Sequence, residues 1–415
     1  MPQSLSGVGT RRMAIAVLAT IVLGGVILRS LHLDDVTQRT PDERTYIGYA
    51  TRIAQQGPGA ERKIIAEFEA DEQLWNYPPP TRVGHIFLLA AVMRVFGTEG
   101  AFAGVALSWV CSILSLILTA RIGLRYFNST IAITAVFLLA TSFAELALVR
   151  RAWQDSTFGF FSLLVIYLAL EVSRTPNRAW VHATFHLAGA WCVLMKQTGP
   201  IVYAVALLWL MADLGFRERT RGALRVALGG ATALALVVVL MIVLTGSLAV
   251  AWSSAIHSYA MPPEGMRYLI SCCGGPWWQV GWTVALANPL ALSLAAVGIV
   301  APVSFRWSTW RYVALPAAMV LAFLASVSFM PLRQSLRYTS PAHGAFCLLA
   351  GYGLWRILEF CSRKLEPGQR WALYAMATSA LLIAAVGEYR VFEAVSIEAE
   401  TPDLGTLQIR QVLGR

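Results

Sequence analysis

Residues 11–28 read RRMAIAVLATIVLGGVIL, two arginines followed by an unbroken apolar run. This pattern is typical of a first transmembrane helix whose N-terminus lies in the cytoplasm. A cleaved signal peptide is the alternative, but the next residues, Arg29-Ser30-Leu31-His32, lack the small-residue pattern of a cleavage site. We therefore expect a retained membrane span.

The composition of the whole chain extends this interpretation to a polytopic membrane protein. Of the 415 residues, 57% are hydrophobic and 13% are charged, and the mean hydropathy is +0.60. The net charge of +10 comes mostly from arginines in short clusters between apolar runs. Such clusters are typical of topology signals, so we expect membrane lipids around the chain and no nucleic-acid partner.

Apolar runs recur along the chain and predict an all-α fold with about eleven transmembrane spans. The predicted spans are residues 13–28, 101–120, 131–149, 157–170, 181–195, 199–211, 226–244, 280–303, 313–328, 338–355 and 371–386. The run 83–96 is short for a span and contains His85 and Arg94, so we interpret it as a juxtamembrane helix. A true span there would reverse the charge rule for every later loop.

The resulting topology places the more strongly basic loops inside and the more acidic loops outside. A first outer loop covers residues 32–100, a second covers residues 245–278, and the tail 387–415 is also outside. The excess of arginine and lysine on the opposite side satisfies the positive-inside rule. We expect a multi-pass protein of the plasma membrane.

Two adjacent carboxylates stand near the start of the first outer loop, in the stretch Thr40-Pro41-Asp42-Glu43-Arg44-Thr45-Tyr46. Acids close to hydrocarbon are costly and usually face a cavity or a partner, which indicates a functional site. The alternative is a solvated helix start with Asp42 as its cap. The apolar residues that follow recur at helical spacing as far as Gly57, so we expect a helix along the membrane surface.

Several short motifs are spread over the predicted outer side. They are Pro41-Asp42-Glu43 with Tyr46, Tyr77-Pro78-Pro79-Pro80, Phe96-Gly97, Arg151 with Asp155, Lys196, and Arg337-Tyr338. Their order and membrane placement resemble the membrane-embedded GT-C glycosyltransferases that use polyprenyl-phosphate sugars, namely the protein O-mannosyltransferases and the lipid A aminoarabinose transferases. The resemblance implies a transferase module over residues 1–245, followed by a variable transmembrane part over residues 246–415.

The resemblance implies a catalytic base at Asp42, with Glu43 beside it and Asp155 as a second acid. Sugar transfer to a hydroxyl needs a carboxylate that takes the acceptor proton. For Asp155 an alternative is a helix N-cap before Ser156.

The resemblance also implies contacts to the lipid-linked donor and its phosphate, from Tyr46, Arg151, Lys196, Arg337 and Tyr338. Aminoarabinose transferases carry a lysine before the paired prolines, but Tyr77 stands there in this sequence. Arg82, a few residues later, could replace that lysine and grip a phosphate with two donors. For Lys196 the alternative is a lysine that only reaches for the membrane interface.

The resemblance therefore implies a hexosyl- or pentosyltransferase that moves a sugar from a polyprenyl-phosphate donor to a lipid, glycan or protein acceptor at the outer face. A nucleotide-sugar site is not expected, because no phosphate-binding glycine loop is present. The alternatives are a flippase or transporter of lipid-linked sugars, which usually carries internal repeats, and a polysaccharide polymerase or ligase with a large late outer loop.

No cofactor is expected from the sequence; a divalent metal is an open alternative that no motif indicates. Cys272 and Cys273 are adjacent, the other four cysteines are scattered, and no Cys-x-x-Cys spacing indicates a metal site. We interpret the cysteines as ordinary buried thiols.

Overall fold

A computed structural model of the chain describes residues 8–98, 100–218, 220–257, 263–300, 307–329, 335–401 and 403–414. The helices are α1 (Val8–Ser30), α2 (Pro41–Gln56), α3 (Ala60–Ala70), α4 (Val83–Phe96), α5 (Gly100–Tyr126), α6 (Ser129–Thr141), α7 (Phe143–Val149), α8 (Gln154–Arg174), α9 (Ala179–Met195), α10 (Gly199–Glu218), α11 (Thr220–Thr245), α12 (Leu248–His257), α13 (Pro263–Cys273), α14 (Gln279–Ala287), α15 (Pro289–Val300), α16 (Trp307–Ser328), α17 (Ser340–Ser362), α18 (Pro367–Phe392) and α19 (Thr406–Leu413). Short 3-10 turns lie at Glu72–Asn76 and Leu336–Thr339, and a π-helix lies at Glu393–Glu398.

The predicted all-α polytopic fold is confirmed. Among the described residues, 8 helices are long and apolar enough to cross a membrane, or up to 10 if each of two bent helix pairs is one span. The bent pairs are α6 with α7, at 54°, and α14 with α15, at 117°. The spans predicted at 131–149 and 280–303 are therefore broken rather than straight, and residues 301–303 lie outside the described residues.

The first bend is stabilised by Arg29 near the end of α1. Its buried guanidinium donates to the carbonyl oxygens of Leu139 and Ala140, each at 2.9 Å, and to the hydroxyl of Ser112 at 2.7 Å. The last carbonyls of a helix have no partner within that helix. A cation from another helix therefore completes the end of α6 and lets the chain turn into α7.

The second bend depends on a carboxylate from α18. Asn288 ends α14, and its side-chain oxygen accepts a hydrogen bond from the amide of Ala291 at 2.8 Å, at the start of α15. Glu388 accepts from the Asn288 amide group at 2.5 Å and from the backbone amide of Phe143 at 2.8 Å. One buried carboxylate thus links the two bends.

The membrane core is packed through small residues as well as apolar ones. A side chain on Gly353 would place its Cβ 1.9 Å from the carbonyl oxygen of Leu294, and one on Gly298 would place it 2.3 Å from that of Leu349, so α15 and α17 approach at backbone distance. The same core includes residues from Leu18 to Leu358. The division at residue 245 stays a prediction about sequence regions, because both sides contribute to one core.

The first outer loop folds into helices that carry the site. The helix expected along the membrane surface is α2, which ends at Gly57 with a φ of 82°, a left-handed conformation that suits glycine. Tyr46 and Ile53 of α2 are buried against Ile86 and Leu89 of α4. The predicted short helix over residues 83–96 is α4.

The C-terminal tail returns to this region instead of extending away from it. Gly405 forms an isolated antiparallel bridge with Ser335. The carboxylate of Glu400 accepts hydrogen bonds from the backbone amide of Thr37 at 2.8 Å and from its hydroxyl at 2.6 Å. The tail and the loop that contains Asp42 therefore lie on the same face of the protein.

Candidate active site

A polar cleft of about 260 Å³ opens between the start of α2, α13 and the tail. Its lining residues are Thr40, Pro41, Asp42, Asn76, Tyr77, Pro78, Arg82, Gly265, Tyr268, Leu269, Cys273, Ser335, Arg337, Tyr338 and Asp403. Of the residues predicted from the sequence, Asp42, Arg82, Arg337 and Tyr338 line this cleft. The other predicted residues are Glu43, Tyr46, Arg151, Asp155 and Lys196, and these do not line it.

Asp42 is directed into the cleft by the way in which α2 begins. The hydroxyl of Thr40 accepts from the amide of Glu43 at 3.3 Å, and the Glu43 carboxylate accepts from the amide of Thr40 at 2.8 Å. This reciprocal capping box fixes the first turn. Thr40 is thus the cap, the capping alternative for Asp42 is wrong, and the Asp42 carboxylate instead contacts Arg337 at 2.5 Å.

Glu43 lies in the interior behind the cleft, and its predicted place in the reaction stays a prediction. Its side chain is fully buried, accepts from the backbone amide of Ala152 at 2.8 Å, and pairs with Arg39 at 3.1 Å and Arg151 at 3.2 Å. Arg151 is also buried and donates to the carbonyl oxygen of Gln38 at 2.8 Å. This cation holds the segment before α2 in place, and its predicted phosphate contact stays a prediction.

Arg337 is the centre of charge in the cleft. Its Nη2 lies 2.5 Å from Asp42, its Nη1 lies 2.7 Å from Asp403, and its Nε lies 3.6 Å from the buried Asp155. The turn that presents it starts at Ser335, whose hydroxyl accepts from the amide of Arg337 at 3.2 Å. A planar guanidinium with paired donors is suited to binding carboxylates and phosphates.

Asp155 and Lys196 form a buried ion pair next to this arginine. Their carboxylate and ammonium groups lie 2.6 Å apart, and the ammonium is 4.6 Å from the ring centre of Tyr338. Burial lowers the pKa of Lys196 to about 8, and the carboxylate of Asp155 opposes that shift. Asp155 has no solvent-exposed surface, and its predicted catalytic role stays a prediction.

The structure also decides the alternatives for this pair. Helix α8 begins at Gln154 after Trp153, with no side-chain cap, so the capping alternative for Asp155 is wrong. Lys196 is 4% exposed, whereas a lysine reaching for the membrane interface would expose its ammonium, so that alternative is wrong too.

Arg82 is held at the edge of the cleft by neighbours that do not line it. Its Nε donates to the side-chain oxygen of Gln197 at 2.8 Å, and its Nη1 donates to the hydroxyl of Tyr46. With its amide turned to satisfy its neighbours, Gln154 accepts from the same Nη1 at 2.9 Å. Burial raises the pKa of the Tyr46 hydroxyl, and Arg82 opposes that rise. Tyr46 therefore orients Arg82 from the interior.

Asp403, Tyr268 and Gln154 were missed by the sequence analysis. The Asp403 carboxylate accepts from the Tyr268 hydroxyl and pairs with Arg337. Burial raises its pKa, and Arg337 opposes that rise. The predicted topology put the tail on the outer side with Asp42, and this was the one available signal, because no local motif links residues 66 positions apart.

Charged groups of both signs meet at and behind the cleft. Asp42, Asp155 and Asp403 all lie within 4 Å of Arg337, Lys196 pairs with Asp155, and Arg82 lines the cleft. Among the described residues, no group of three or more histidine, cysteine, aspartate or glutamate side chains is arranged to hold a metal ion. The expectation that no cofactor is needed stays a prediction.

Comparison with known proteins gives one family match. Residues 79–243 match the family model for dolichyl-phosphate-mannose-protein mannosyltransferases. The matched stretch contains Arg82, Asp155 and Lys196, and it excludes Asp42 and Arg337. No curated protein sequence matches the chain.

Solved structures with the same architecture are membrane glycosyltransferases. The apo oligosaccharyltransferase from Archaeoglobus fulgidus aligns with a TM-score of 0.59 and 15% identity over 94% of this chain, which spans 58% of that protein. ArnT from Cupriavidus metallidurans bound to undecaprenyl phosphate aligns with a TM-score of 0.53 and 14% identity, covering 95% of this chain and 75% of ArnT. Apo ArnT gives a TM-score of 0.51 at 15% identity, covering 97% and 76%. The chain therefore has the fold of GT-C type membrane glycosyltransferases.

Proposed function

We propose that the chain is a glycosyltransferase that moves a sugar from a polyprenyl-phosphate donor to a hydroxyl group of a lipid, glycan or protein at the extracytoplasmic face. The observation that carries the proposal is the contact of Asp42 with Arg337 in an open cleft, at 2.5 Å. It joins a carboxylate that can accept a proton to a guanidinium that can bind a phosphate. The likeness to ArnT with its bound undecaprenyl phosphate supports the choice of donor.

The proposed reaction is a single displacement at the anomeric carbon. The acceptor oxygen forms a bond to that carbon, the bond from the carbon to the phosphate oxygen breaks, and Asp42 takes the acceptor proton. The phosphodiester donor carries one negative charge, and the departing polyprenyl phosphate carries a second. Cations fixed beside the phosphate stabilise this growing charge without having to rearrange.

Arg337 and Arg82 are the cations that can serve the phosphate, because both line the cleft. Tyr338, which also lines it, covers the Lys196 ammonium with its ring. The buried Asp155–Lys196 pair is a positioning element: Asp155 lies 3.6 Å from the Arg337 Nε and holds the guanidinium toward the cleft.

The proposed outer placement of the site follows from charge and from the donor. The basic clusters of the chain include Arg217 at the end of α10 and Arg221 and Arg225 at the start of α11, helix ends that the positive-inside rule assigns to the cytoplasm. A polyprenyl-phosphate sugar resides in the membrane itself, so an outer site needs no soluble nucleotide sugar.

The test is a transfer assay with the purified chain in liposomes. The liposomes contain polyprenyl-phosphate sugars extracted from the source membranes, together with extracted acceptor lipids and glycans, and mass spectrometry follows each lipid. A transferase converts the sugar lipids to free polyprenyl phosphate and glycosylated acceptor. A transporter moves the sugar lipids between leaflets and leaves them chemically intact, and that outcome would overturn the proposal.

A further inference from the structure

The C-terminal tail, residues 393–414, carries a carboxylate into the cleft from outside the stretch that matches the family model. The tail forms hydrogen bonds with the rest of the protein both before and after Asp403. Before it, Glu400 accepts from the amide and hydroxyl of Thr37 at 2.8 and 2.6 Å. After it, the carbonyl oxygen of Leu404 accepts from the amide of Leu336 at 3.1 Å. The contacts of the tail with Thr37 and Leu336 therefore place Asp403 next to Arg337.

The outward donors of Arg337 are already occupied by carboxylates. Nη2 is bonded to Asp42 at 2.5 Å and Nη1 to Asp403 at 2.7 Å. A phosphate that binds end-on, with one bond to each of Nη1 and Nη2, would lie beside both carboxylates and be repelled by them. This repulsion favours the departure of one carboxylate when a phosphate enters.

Charge and chemistry indicate that Asp403 is the one that leaves. Adding a phosphodiester without losing an acid would bring a further negative charge against the carboxylates that already surround Arg337 in a partly buried site. Exchanging Asp403 for one phosphodiester leaves the charge around Arg337 unchanged. Asp42 has to stay, because the proposed reaction needs it beside the acceptor.

The backbone around Asp403 is also held in an unusual shape. Glu400 and Leu404 have φ angles of 42° and 47°, in the left-handed region that residues other than glycine seldom adopt. Such positions persist only where surrounding contacts impose them. Breaking the contact between Asp403 and Arg337 removes one of the contacts that hold this shape.

We propose that Asp403 is an internal substitute for the donor phosphate: it occupies Arg337 in the empty enzyme and is exchanged for the lipid phosphate when the donor binds. The tail thereby regulates access to the site. This inference rests on the proposed function, because it assigns Arg337 to a lipid phosphate.

The test measures binding of undecaprenyl phosphate to the full chain in detergent, for the wild type and Asp403→Asn. Without the competing charge, the variant should bind at least about tenfold more tightly, a difference of ~1.4 kcal/mol. The matched control is Glu398→Gln, which removes an exposed acid from the same tail and should bind like the wild type. Equal or weaker binding by Asp403→Asn would overturn the inference.

A second variant keeps the inference testable if Asp403→Asn does not fold. Tyr268→Phe removes the hydroxyl that holds the Asp403 carboxylate, so it should tighten binding to a smaller extent. In a Cys361→Ser background, a spin label at Gln411→Cys, on the exposed side of α19, should also change its mobility when undecaprenyl phosphate is added to the otherwise unaltered tail. A label whose spectrum is unchanged at saturating lipid would contradict the exchange.

The outcomes separate the inference from the proposed function. If the wild type binds undecaprenyl phosphate and Asp403→Asn binds it no more tightly, the exchange is wrong and the proposed donor stands. If neither protein binds undecaprenyl phosphate, the proposed donor fails and the exchange fails with it.

Discussion

The Arg82 side chain is oriented by residues that lie deeper in the protein than the cleft. Gln197 and Tyr46 accept from two of its nitrogens, and the Pro78-Pro79-Pro80 run before it restricts the path of the chain. The guanidinium is therefore pre-positioned at the cleft wall, where two charge-assisted bonds to a phosphate can strengthen as charge develops.

We expect Arg82→Ala to lose most of the transfer activity, on the order of 10²-fold as for the loss of one stabilising donor. Arg82→Lys should retain part of it, because the charge remains but the paired geometry is lost. Initial rates in the liposome assay measure both, and Arg44→Ala, which removes an exposed arginine of α2, is the control. Normal turnover by Arg82→Ala, with loss in Arg337→Ala, would limit Arg82 to anchoring the chain at the interface.

The site could be predicted in part at the level of residues. Asp42, Arg82, Arg337 and Tyr338 were found from short motifs, because their chemistry is visible in their residue types. The capping-box spacing of Thr40 and Glu43 was overlooked, since two adjacent acids suggested chemistry first. Asp403 could not be found, because its contact with Arg337 exists only after the tail has folded back.

Among the helices, α3 contains a buried carboxylate, that of Glu61. Glu61 is fully buried, and neither of its oxygens has a hydrogen-bond partner among the described residues. Burial raises its pKa to about 8, and Arg52 opposes that rise. Two neighbouring residues of α3 form hydrogen bonds with other helices. Arg62 donates to the carbonyl oxygen of Val243 at 3.2 Å, and Glu69 accepts from the hydroxyl of Ser253 at 2.7 Å.

This burial predicts a pH dependence of stability. The ordinary pKa of a glutamate is 4.5, so between that value and about 8 the unfolded chain is ionised at Glu61 while the folded chain holds the proton. The folded state then binds more protons, and the free energy of unfolding falls as the pH rises through this window. We expect Glu61→Gln to weaken the fall in melting temperature between pH 5 and pH 8.5.

Thermal unfolding of the purified protein in detergent measures this effect. Glu72→Gln is the control, because Glu72 is exposed on the same outer loop, and it should keep the pH dependence of the wild type. A wild-type pH dependence in Glu61→Gln would show that the glutamate ionises without cost and that its surroundings are wetter than its burial indicates.

The sequence predicted the positions of the transmembrane helices, but it did not predict where two of them bend. Apolar runs gave the positions of the spans, since a span needs a minimum length of hydrocarbon-compatible residues. The bends at Ser142 and Asn288 were not predicted, because they are stabilised by Arg29 and Glu388 from distant helices. Local sequence contains no sign of such partners.

In the whole molecule, one face carries all the elements of the site. The loop with Asp42, the turn with Arg337 and the tail with Asp403 meet there, through contacts that join distant parts of the chain. The positive-inside rule predicts the side of the membrane on which this face lies.

We expect this face to be extracytoplasmic, and the cysteines allow a direct check. Cys361 is exposed and the other five cysteines are buried, and the predicted topology places Cys361 inside. A membrane-impermeant maleimide should therefore label the wild type only after lysis. In a Cys361→Ser background, Asp34→Cys and Gln411→Cys should react in intact cells. The reverse pattern would invert the topology and remove the lipid-linked donor from the outer face.

The most direct measurement is the transfer rate of Asp42→Asn in the liposome assay. The amide keeps the shape of the side chain but cannot accept the acceptor proton, so we expect the rate to fall ~10²–10⁴-fold, as for the loss of a general base. Binding of undecaprenyl phosphate should not weaken, and Asp34→Asn, an exposed acid near the same loop start, should turn over like the wild type. Wild-type turnover by Asp42→Asn would contradict the assignment of this cleft as the site of transfer.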